Sequence, residues 1–409
     1  MKADNPAMPR PAVEGTAFSV ILAVSFCHLL NDMMQSLLPA LFPTLKAAYR
    51  LSFTQLGWIS LAYQVTASLL QPLVGYFSDR RPAPFSLPAG TLFTGTGLLV
   101  LSLADSYALL LVGASFLGMG SSVFHPEASR VARMAAGGRH GLAQSLFQLG
   151  GNAGAAIGPL LVALVVVQWG QSSVATFVLL TVVSTAVLWN VGVWYKHHGL
   201  PRLAAARSSK HGPSMVPARH AGRGIAILLL LIFSKFVYIA SLTNYYTFYL
   251  IERFHVSVVE SQVRLFVFLG ALALGTLLGG YFGDRVGRKA VIWFSILAAL
   301  PFTLLLPYVD LFWTGVLSAA IGLLIASAFP AIVVFGQELL PNRIGMVSGL
   351  MFGFSFGMAG LGAASLGHLA DLYGIDLVYR ICSFLPALGL LAAWLPDLPR
   401  RESAAIVST

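Results

Sequence analysis

The strongest constraint in this sequence is a series of apolar stretches, each long enough to cross a lipid bilayer as an α-helix. A helix needs about 20 mostly apolar residues to span the hydrocarbon core. Twelve such stretches occur, at residues 18–43, 53–77, 84–104, 107–134, 141–167, 172–195, 224–250, 260–282, 288–307, 310–338, 343–369 and 376–396. The sequence therefore predicts an all-α integral membrane protein with twelve transmembrane helices, surrounded by lipid.

The composition excludes the main soluble alternatives. Of the 409 residues, 57% are apolar and only 10% are Asp, Glu, Lys or Arg, whereas soluble domains carry about 25% charged residues. The net charge of +10 comes from basic residues scattered between the apolar stretches, so it does not form the patch that indicates nucleic-acid binding. Cys27 and Cys382 lie within apolar stretches and lack metal-ligand spacing. We expect no nucleic-acid partner, no metal and no cofactor.

The basic residues indicate how the helices are oriented. Twelve crossings place both termini on the same side of the membrane, and cytoplasmic loops carry an excess of Lys and Arg. With both termini inside, 19 of the 25 Lys and Arg residues fall in cytoplasmic segments, and at most five fall on the other side. We therefore expect both termini to be cytoplasmic.

The chain contains an internal duplication. The motif Gly75-Tyr76-Phe77-Ser78-Asp79-Arg80 ends the second stretch, and Gly280-Tyr281-Phe282-Gly283-Asp284-Arg285 ends the eighth, 205 residues later. This repeat predicts an N-terminal six-helix bundle at 1–195, a basic cytoplasmic linker at 196–223 and a C-terminal six-helix bundle at 224–409. Two such repeats are an architecture of carriers that open a central site alternately to each side of the membrane.

The loop after the eighth stretch carries a family resemblance. Residues Gly280 to Lys289 resemble the Gly-x-x-x-Asp-Arg-x-Gly-Arg-Lys signature of the major facilitator superfamily, and the first copy departs from it at Arg81-Pro82-Ala83-Pro84. The resemblance implies the major facilitator fold. Charged groups at these helix ends can form contacts in one conformation and break them in the other; alternatively, they only anchor the loops. The expected conformational latch comprises Gly75, Asp79, Arg80, Gly280, Asp284, Arg285, Gly287, Arg288 and Lys289.

Within that superfamily the sequence looks similar to the fosmidomycin resistance proteins. The similar stretches include residues 25–32, 75–84, 121–127, 137–145, 232–235 and 343–350. Members of this family export the phosphonate antibiotic fosmidomycin and are regarded as proton-driven. The resemblance implies a drug/proton antiporter of the bacterial inner membrane, and we expect it to function as a monomer.

Ionisable residues inside the membrane are functional candidates by default, because they are costly to insert. The first helix carries His28, Asn31 and Asp32, and the four-residue spacing puts His28 and Asp32 on one face. A carboxylate in a poorly hydrated cavity can load and release a proton, so Asp32 is the expected coupling residue, with His28 beside it. The alternative is that these side chains only brace the helix.

Lys235 lies about mid-bilayer in the seventh helix, the counterpart of the first. A buried Lys can pair with Asp32 or hold an anionic head group such as a phosphonate; snorkelling to the interface is the structural alternative. Further expected substrate-binding residues are Asn31, Arg130, Arg264, Tyr63, Gln64, Tyr238, Asn244 and Tyr245.

The fourth helix carries a second polar group. His125 and Glu127 are further candidates for proton coupling, and Glu127 and Arg130 are three residues apart, so they can also form a purely structural ion pair. His125-x-Glu127 resembles half of a zinc deaminase motif, but no Pro-Cys-x-x-Cys follows. We therefore expect a transporter of anionic or polar drugs and not an enzyme. The alternative is proton-coupled uptake of a small organic anion.

Overall fold

The computed structural model describes residues 16–137, 140–201, 218–340 and 344–397. Within these residues the chain forms eleven long helices and a twelfth of eight residues, which the helical piece Leu385–Trp394 follows. Helices α1 to α6 are Phe18–Ala40, Phe53–Arg80, Ser86–Leu103, Tyr107–Ala135, His140–Leu161 and Val178–Trp194; helices α7 to α12 are Ala218–Phe254, Val258–Val286, Arg288–Leu305, Leu311–Leu339, Ile344–Tyr373 and Ile375–Cys382. Shorter helical pieces adjoin them, namely Phe42–Tyr49 after α1, Val162–Val166 and Val167–Trp169 after α5, Gln171–Phe177 before α6, Tyr195–Gly199 after α6, Leu306–Tyr308 after α9 and Leu385–Trp394 after α12.

The described helices fit the prediction of a polytopic membrane protein. Eleven segments are long and apolar enough to cross a membrane, and α2 is the long helix that does not qualify. Helix α2 has 28 residues but carries Gln64, Ser68 and Gln71 along one side. Polar side chains at membrane depth are tolerated where they face protein, and α2 packs against α11 of the other half. Its polarity therefore reflects its place between the two halves.

Short turns join successive helices, so the helices alternate in direction. We call the end of the bundle that carries residues 201 and 218 the linker face, and the other end the opposite face. At the opposite face, side chains cap the starts of three helices: Ser52 in α2, Ser257 in α8 and Asp310 in α10. Such caps satisfy backbone N–H groups that the helix itself leaves unpaired. Residues 202–217 of the expected linker lie outside the described residues, and helical structure extends into it from both ends.

The two halves meet mainly through α2 against α11 and α5 against α8. Helix α11 presents a row of glycines to α2, and the space beside them grows steadily. A Cβ atom built at Gly360 would lie 2.6 Å from Gln64, one at Gly357 would lie 3.5 Å from Ser68, and one at Gly349 would have no neighbour within 4 Å among the described side chains. Since Gly349 is nearest the linker face, these two helices are tightly packed at the opposite face and diverge toward the linker face.

We call the widening space between α2 and α11 the wedge. A carboxylate joins the two helices at its narrow end. Asp371, near the end of α11, accepts hydrogen bonds from the backbone N–H groups of Phe53 and Thr54 at 2.8 and 2.7 Å and from the Thr54 hydroxyl at 2.6 Å. These N–H groups belong to the first turn of α2, where the helix dipole favours a negative charge. Asp371 therefore holds the two halves together at the opposite face.

Candidate functional site

Buried polar groups of the first half converge on Asp32, two-thirds of the way along α1. Nε2 of His28 lies 3.2 Å from one carboxylate oxygen, and Nε2 of His125, on α4, lies 3.4 Å from the other. The Asn31 amide donates to the same carboxylate at 3.0 Å. The side chain of His28 is 3% exposed, whereas that of Asp32 keeps 20%. One carboxylate is thus held between two imidazoles and remains partly accessible.

The other ring nitrogen of each imidazole fixes where protons can sit. Nδ1 of His28 lies 2.7 Å from the Phe147 carbonyl, and Nδ1 of His125 lies 3.0 Å from the Ser121 carbonyl. A carbonyl only accepts, so both Nδ1 atoms carry hydrogen. Each Nε2 lies close to a carboxylate oxygen of Asp32. Lone pairs on the two atoms would repel, so the contact is favourable only when a proton lies between the nitrogen and the oxygen. The cluster can therefore hold up to two exchangeable protons.

Helix α5 packs directly over this cluster. The His28 ring stacks on Phe147 with ring centroids 4.0 Å apart. A Cβ atom at Gly151 would lie 2.4 Å from Nε2 of His28 and 2.7 Å from a carboxylate oxygen of Asp32. Glycine at position 151 is therefore required for the close approach of α5 to the imidazole.

His125 also touches the second half of the molecule. Its ring centroid lies 5.7 Å from that of Phe356 on α11. The helix that carries His125 contains Pro126, which removes a backbone donor and loosens the helix at this point. The Asp32 cluster therefore lies next to the interface between the two halves.

Glu127 and Arg130 lie on the same helix as His125, toward the linker face. They approach each other at 3.6 Å, and the Glu127 side chain is fully enclosed. A buried carboxylate is stable only when it is paired and hydrogen-bonded. Glu127 follows His125 of the Asp32 cluster by two residues on α4, and its partner Arg130 lies on the same helix.

Lys235 is the buried cation of the second half. It is 4% exposed, and its ammonium group lies 4.8 Å from the ring centroid of Phe329 on α10 and 5.3 Å from that of Phe236. Phe329 in turn packs edge-to-face on Phe352 of α11. In the part of the chain that the structure describes, no carboxylate lies within ion-pair distance of Lys235, so it does not pair with Asp32 in this conformation. Aromatic faces attract a cation but leave its charge uncompensated.

The remaining expected substrate residues lie in several places. Tyr63 adjoins the Asp32 cluster, and its hydroxyl donates to Gln35 at 2.5 Å. Gln64 packs against Gly360 between α2 and α11. Three lie on α7, where Tyr245 donates to the Ala363 carbonyl, Asn244 donates to Ala240, and Tyr238 is buried in the core. Arg264 pairs with Glu260 at 2.8 Å near the opposite face, away from Lys235.

Part of the expected latch can be described. Gly287 has a φ of +96° at the start of α9 and so occupies backbone space that favours glycine. Arg288 pairs with Glu338 at 2.5 Å, and Lys289 pairs with Asp397 at 2.8 Å, both inside the second half. For the other expected latch residues the structure describes only the backbone. These residues are Gly75, Asp79, Arg80, Gly280, Asp284 and Arg285.

The Asp32 cluster also has the composition of a metal site. Ligand atoms of His28, Asp32 and His125 lie within 4.8 Å of one another, and no other such group of three occurs among the described residues. Each imidazole also faces the Asp32 carboxylate directly, at 3.2 and 3.4 Å.

Several residues of the site were not among the sequence-based candidates. Ser121 and Phe147 supply partners to the cluster, Gln35 pairs with Tyr63 beside it, Phe356 packs against His125, and Phe329 packs against Lys235. A polar Gln in the middle of an apolar helix is itself a signal, because its insertion is costly. The aromatic residues carry no such signal in a sequence that is 11% aromatic.

The sequence matches a broad family of transporters and close relatives within it. The profile of the Major Facilitator Superfamily matches residues 24–363 and 228–407. The fosmidomycin resistance protein of Escherichia coli (strain K12) is 53% identical over 382 residues, covering 93% of this chain and 94% of the relative. An uncharacterized MFS-type transporter of Bacillus subtilis (strain 168) is 39% identical, with 93% and 94% covered.

Solved structures with low sequence identity share the fold. A bacterial homolog of the human lysosomal transporter Spinster, in an inward-facing and occupied conformation, superposes with a TM-score of 0.68 at 15% identity, covering 93% of this chain and 95% of the other. A point mutant of the nucleoside transporter NupG gives a TM-score of 0.67 at 15% identity, with 93% and 99% covered. These likenesses confirm the predicted fold.

Proposed function

Since this chain belongs to the major facilitator superfamily and, within it, to the fosmidomycin resistance family, we propose that it exports fosmidomycin-like anionic drugs across the bacterial inner membrane in exchange for protons, and so confers resistance. The observation that carries this proposal is a pair of buried ionisable sites, one in each half. Asp32 with its two imidazoles lies in the first half, and Lys235 lies without a carboxylate in the second, among the residues that the structure describes.

Proton transfer is assigned to the Asp32 cluster. With both Nδ1 atoms occupied by carbonyls, protons enter and leave on the sides of the imidazoles that face Asp32. The partial exposure of Asp32 gives those protons a route to water. Glu127 is a second candidate carrier, and its pairing with Arg130 favours a supporting role.

Drug binding is assigned to Lys235 in the first place. Burying an ammonium group without a counter-charge is costly, and a bound anion supplies that charge. The two Phe rings beside Lys235, and Phe352, which packs on one of them, can contact the apolar part of a drug. Chemistry of this kind selects an anion with a short apolar body, which fits a phosphonate drug.

The wedge between α2 and α11 supports alternating access. It opens toward the linker face, which the positive-inside rule assigns to the cytoplasm, so this conformation would take up drug from inside the cell. After the drug leaves, protonation of the carrier from the opposite face would favour its return to the conformation that is open toward the linker face, since a ligand shifts an equilibrium by its differential affinity for the two states.

The test is drug-dependent proton movement in inside-out vesicles with an acidified lumen, followed with a pH-sensitive dye. Addition of fosmidomycin should alkalinise the lumen, because drug enters as protons leave. The same protein with Asp32→Asn should give no response. Acidification on drug addition would indicate symport, and so the uptake alternative. Absence of any response from the folded wild-type protein would refute drug/proton exchange.

A further inference from the structure

One polar group beside the Asp32 cluster has an unused donor. Gln35 lies on α1 and is 6% exposed. Its side-chain oxygen accepts a hydrogen bond from the Tyr63 hydroxyl at 2.5 Å, while its amide nitrogen has no hydrogen-bond partner among the described residues. Buried polar groups in native proteins are nearly always paired, so this unpaired buried donor is a candidate contact for a ligand.

The short distance to Tyr63 fixes which end of the amide is unused. A separation of 2.5 Å lies within the range for O–H···O bonds and below the range for N–H···O bonds. The oxygen of Gln35 therefore faces Tyr63, and the NH₂ group points elsewhere. What this position lacks is a hydrogen-bond acceptor.

The position of Gln35 connects it to the proton site. It follows Asp32 by three residues, which puts both on neighbouring parts of one helix face. Asp32 in turn lies 3.4 Å from Nε2 of His125. Gln35 and its partner Tyr63 therefore lie one helical turn from the proton site.

We propose that Gln35 is a drug-binding residue whose amide N–H donates to an oxygen of the bound anion, a phosphonate or a carboxylate. The inference rests on the proposed function and adds a contact in the first half to the charge of Lys235 in the second. A drug held by both residues bridges the two halves. Gln35 lies three residues from Asp32 on α1, so drug and proton sites adjoin.

Gln35 lies one turn closer to the opposite face than Asp32, at the tight end of the wedge. Its amide is therefore sealed in the conformation described here, while the wedge is open at the linker face. Contact with the drug follows when the halves begin to rock about the bound anion. A state of this kind is populated at equilibrium when the drug is present.

The test compares three variants of the full-length purified protein, with fosmidomycin as the probe and isothermal titration calorimetry for Kd. Gln35→Met keeps the length and removes the donor, and it should weaken binding about tenfold or more, the usual effect of losing a hydrogen bond to a charged group. Gln35→Glu keeps the acceptor for Tyr63 and adds a negative charge, so it should weaken binding further. Gln171→Met is the matched control, because the Gln171 amide already donates to the carbonyl groups of Leu101 and Ala104 at 2.8 and 3.0 Å, all within the first half; its Kd should equal that of wild type.

Kinetics in vesicles separate a binding contact from a structural one. Gln35→Met should raise KM by a similar factor and leave kcat near the wild-type value, whereas a packing defect would lower kcat in both Gln35 variants. A wild-type Kd in either folded Gln35 variant overturns the inference while leaving drug/proton exchange intact. If wild-type protein neither binds fosmidomycin nor moves protons with it, the proposed function fails and this inference fails with it.

Discussion

Neutralising Asp371 should shift the protein away from the conformation described here. Its carboxylate accepts three hydrogen bonds from the first turn of α2, and they join the two halves only while the opposite face is closed. Asp371→Asn keeps the shape, removes the charge, and turns an NH₂ group toward backbone donors. The closed state alone loses these bonds, so the equilibrium should move toward opening at that face.

The size of the shift follows from the exposure of the groups. Hydrogen bonds to a charged group contribute about 1.5–3 kcal/mol when well shielded, and a charge at a helix N-terminus contributes about 0.3–1 kcal/mol at the surface. Asp371 and Thr54 are in contact with solvent, which places the net loss at the lower end, about 1–2 kcal/mol. That corresponds to roughly a 5- to 30-fold change in the ratio of the two states.

The assay is a distance measurement across the opposite face. Spin labels at Ala48, beside α1, and Val259, at the start of α8, sit on exposed positions of the two halves. Cys27 and Cys382 are buried and form no disulfide bond. Both can therefore be replaced first, so that the spin labels react only at the two introduced positions. Double electron–electron resonance should then show a larger long-distance population in Asp371→Asn than in wild type.

A matched control is available on the same face. Asp376 pairs with Arg253 at 3.6 Å, and both residues belong to the second half. Asp376→Asn removes an acidic charge without touching the junction between halves, so its distance distribution should match wild type. If Asp371→Asn also matches wild type, or if both variants shift equally, the reasoning about a clamp between halves is refuted.

Three further outcomes are expected. Asp32→Asn should abolish drug-dependent proton movement in vesicles while leaving a folded protein by size-exclusion chromatography, and full activity would remove Asp32 from the proton pathway. Lys235→Ala should weaken binding of an anionic drug far more than binding of a neutral analogue, measured by calorimetry; equal losses would indicate a packing role. Gly360→Ala should lower the melting temperature by the strain of a 2.6 Å contact, whereas Gly349→Ala, in open space, should leave it nearly unchanged.

The sequence could predict much of this fold because its strongest signals are local. Apolar length defines the spanning segments, and a four-residue spacing is enough to bring His28 beside Asp32 on α1. Helix α2 is predicted at 53–77 although it is more polar than the other spanning helices, because one of its sides faces α11 of the other half.

Contacts that join distant segments could not be predicted in the same way. His125 approaches Asp32 from another helix, and nothing in the spacing of α4 indicates which neighbour it meets. Asp371 caps a helix that begins 318 positions earlier in the chain, so its sequence surroundings suggest only a helix end near the surface. Gln35 stands out in the sequence as a polar residue within an apolar helix, but its unused amide donor becomes apparent only when its contact with Tyr63 is known.

The divergence of α2 and α11 makes the spacing of these two helices differ between the two leaflets of the membrane. In the conformation described here α2 and α11 are farther apart at the linker face than at the opposite face, and rocking of the halves would transfer this wider separation from one leaflet to the other. The work of this transfer depends on how tightly each leaflet is packed. We expect lipids that crowd the acyl-chain region, such as phosphatidylethanolamine, to bias the two states differently from phosphatidylcholine, so that the turnover rate varies with membrane curvature even when drug and proton gradients are held constant.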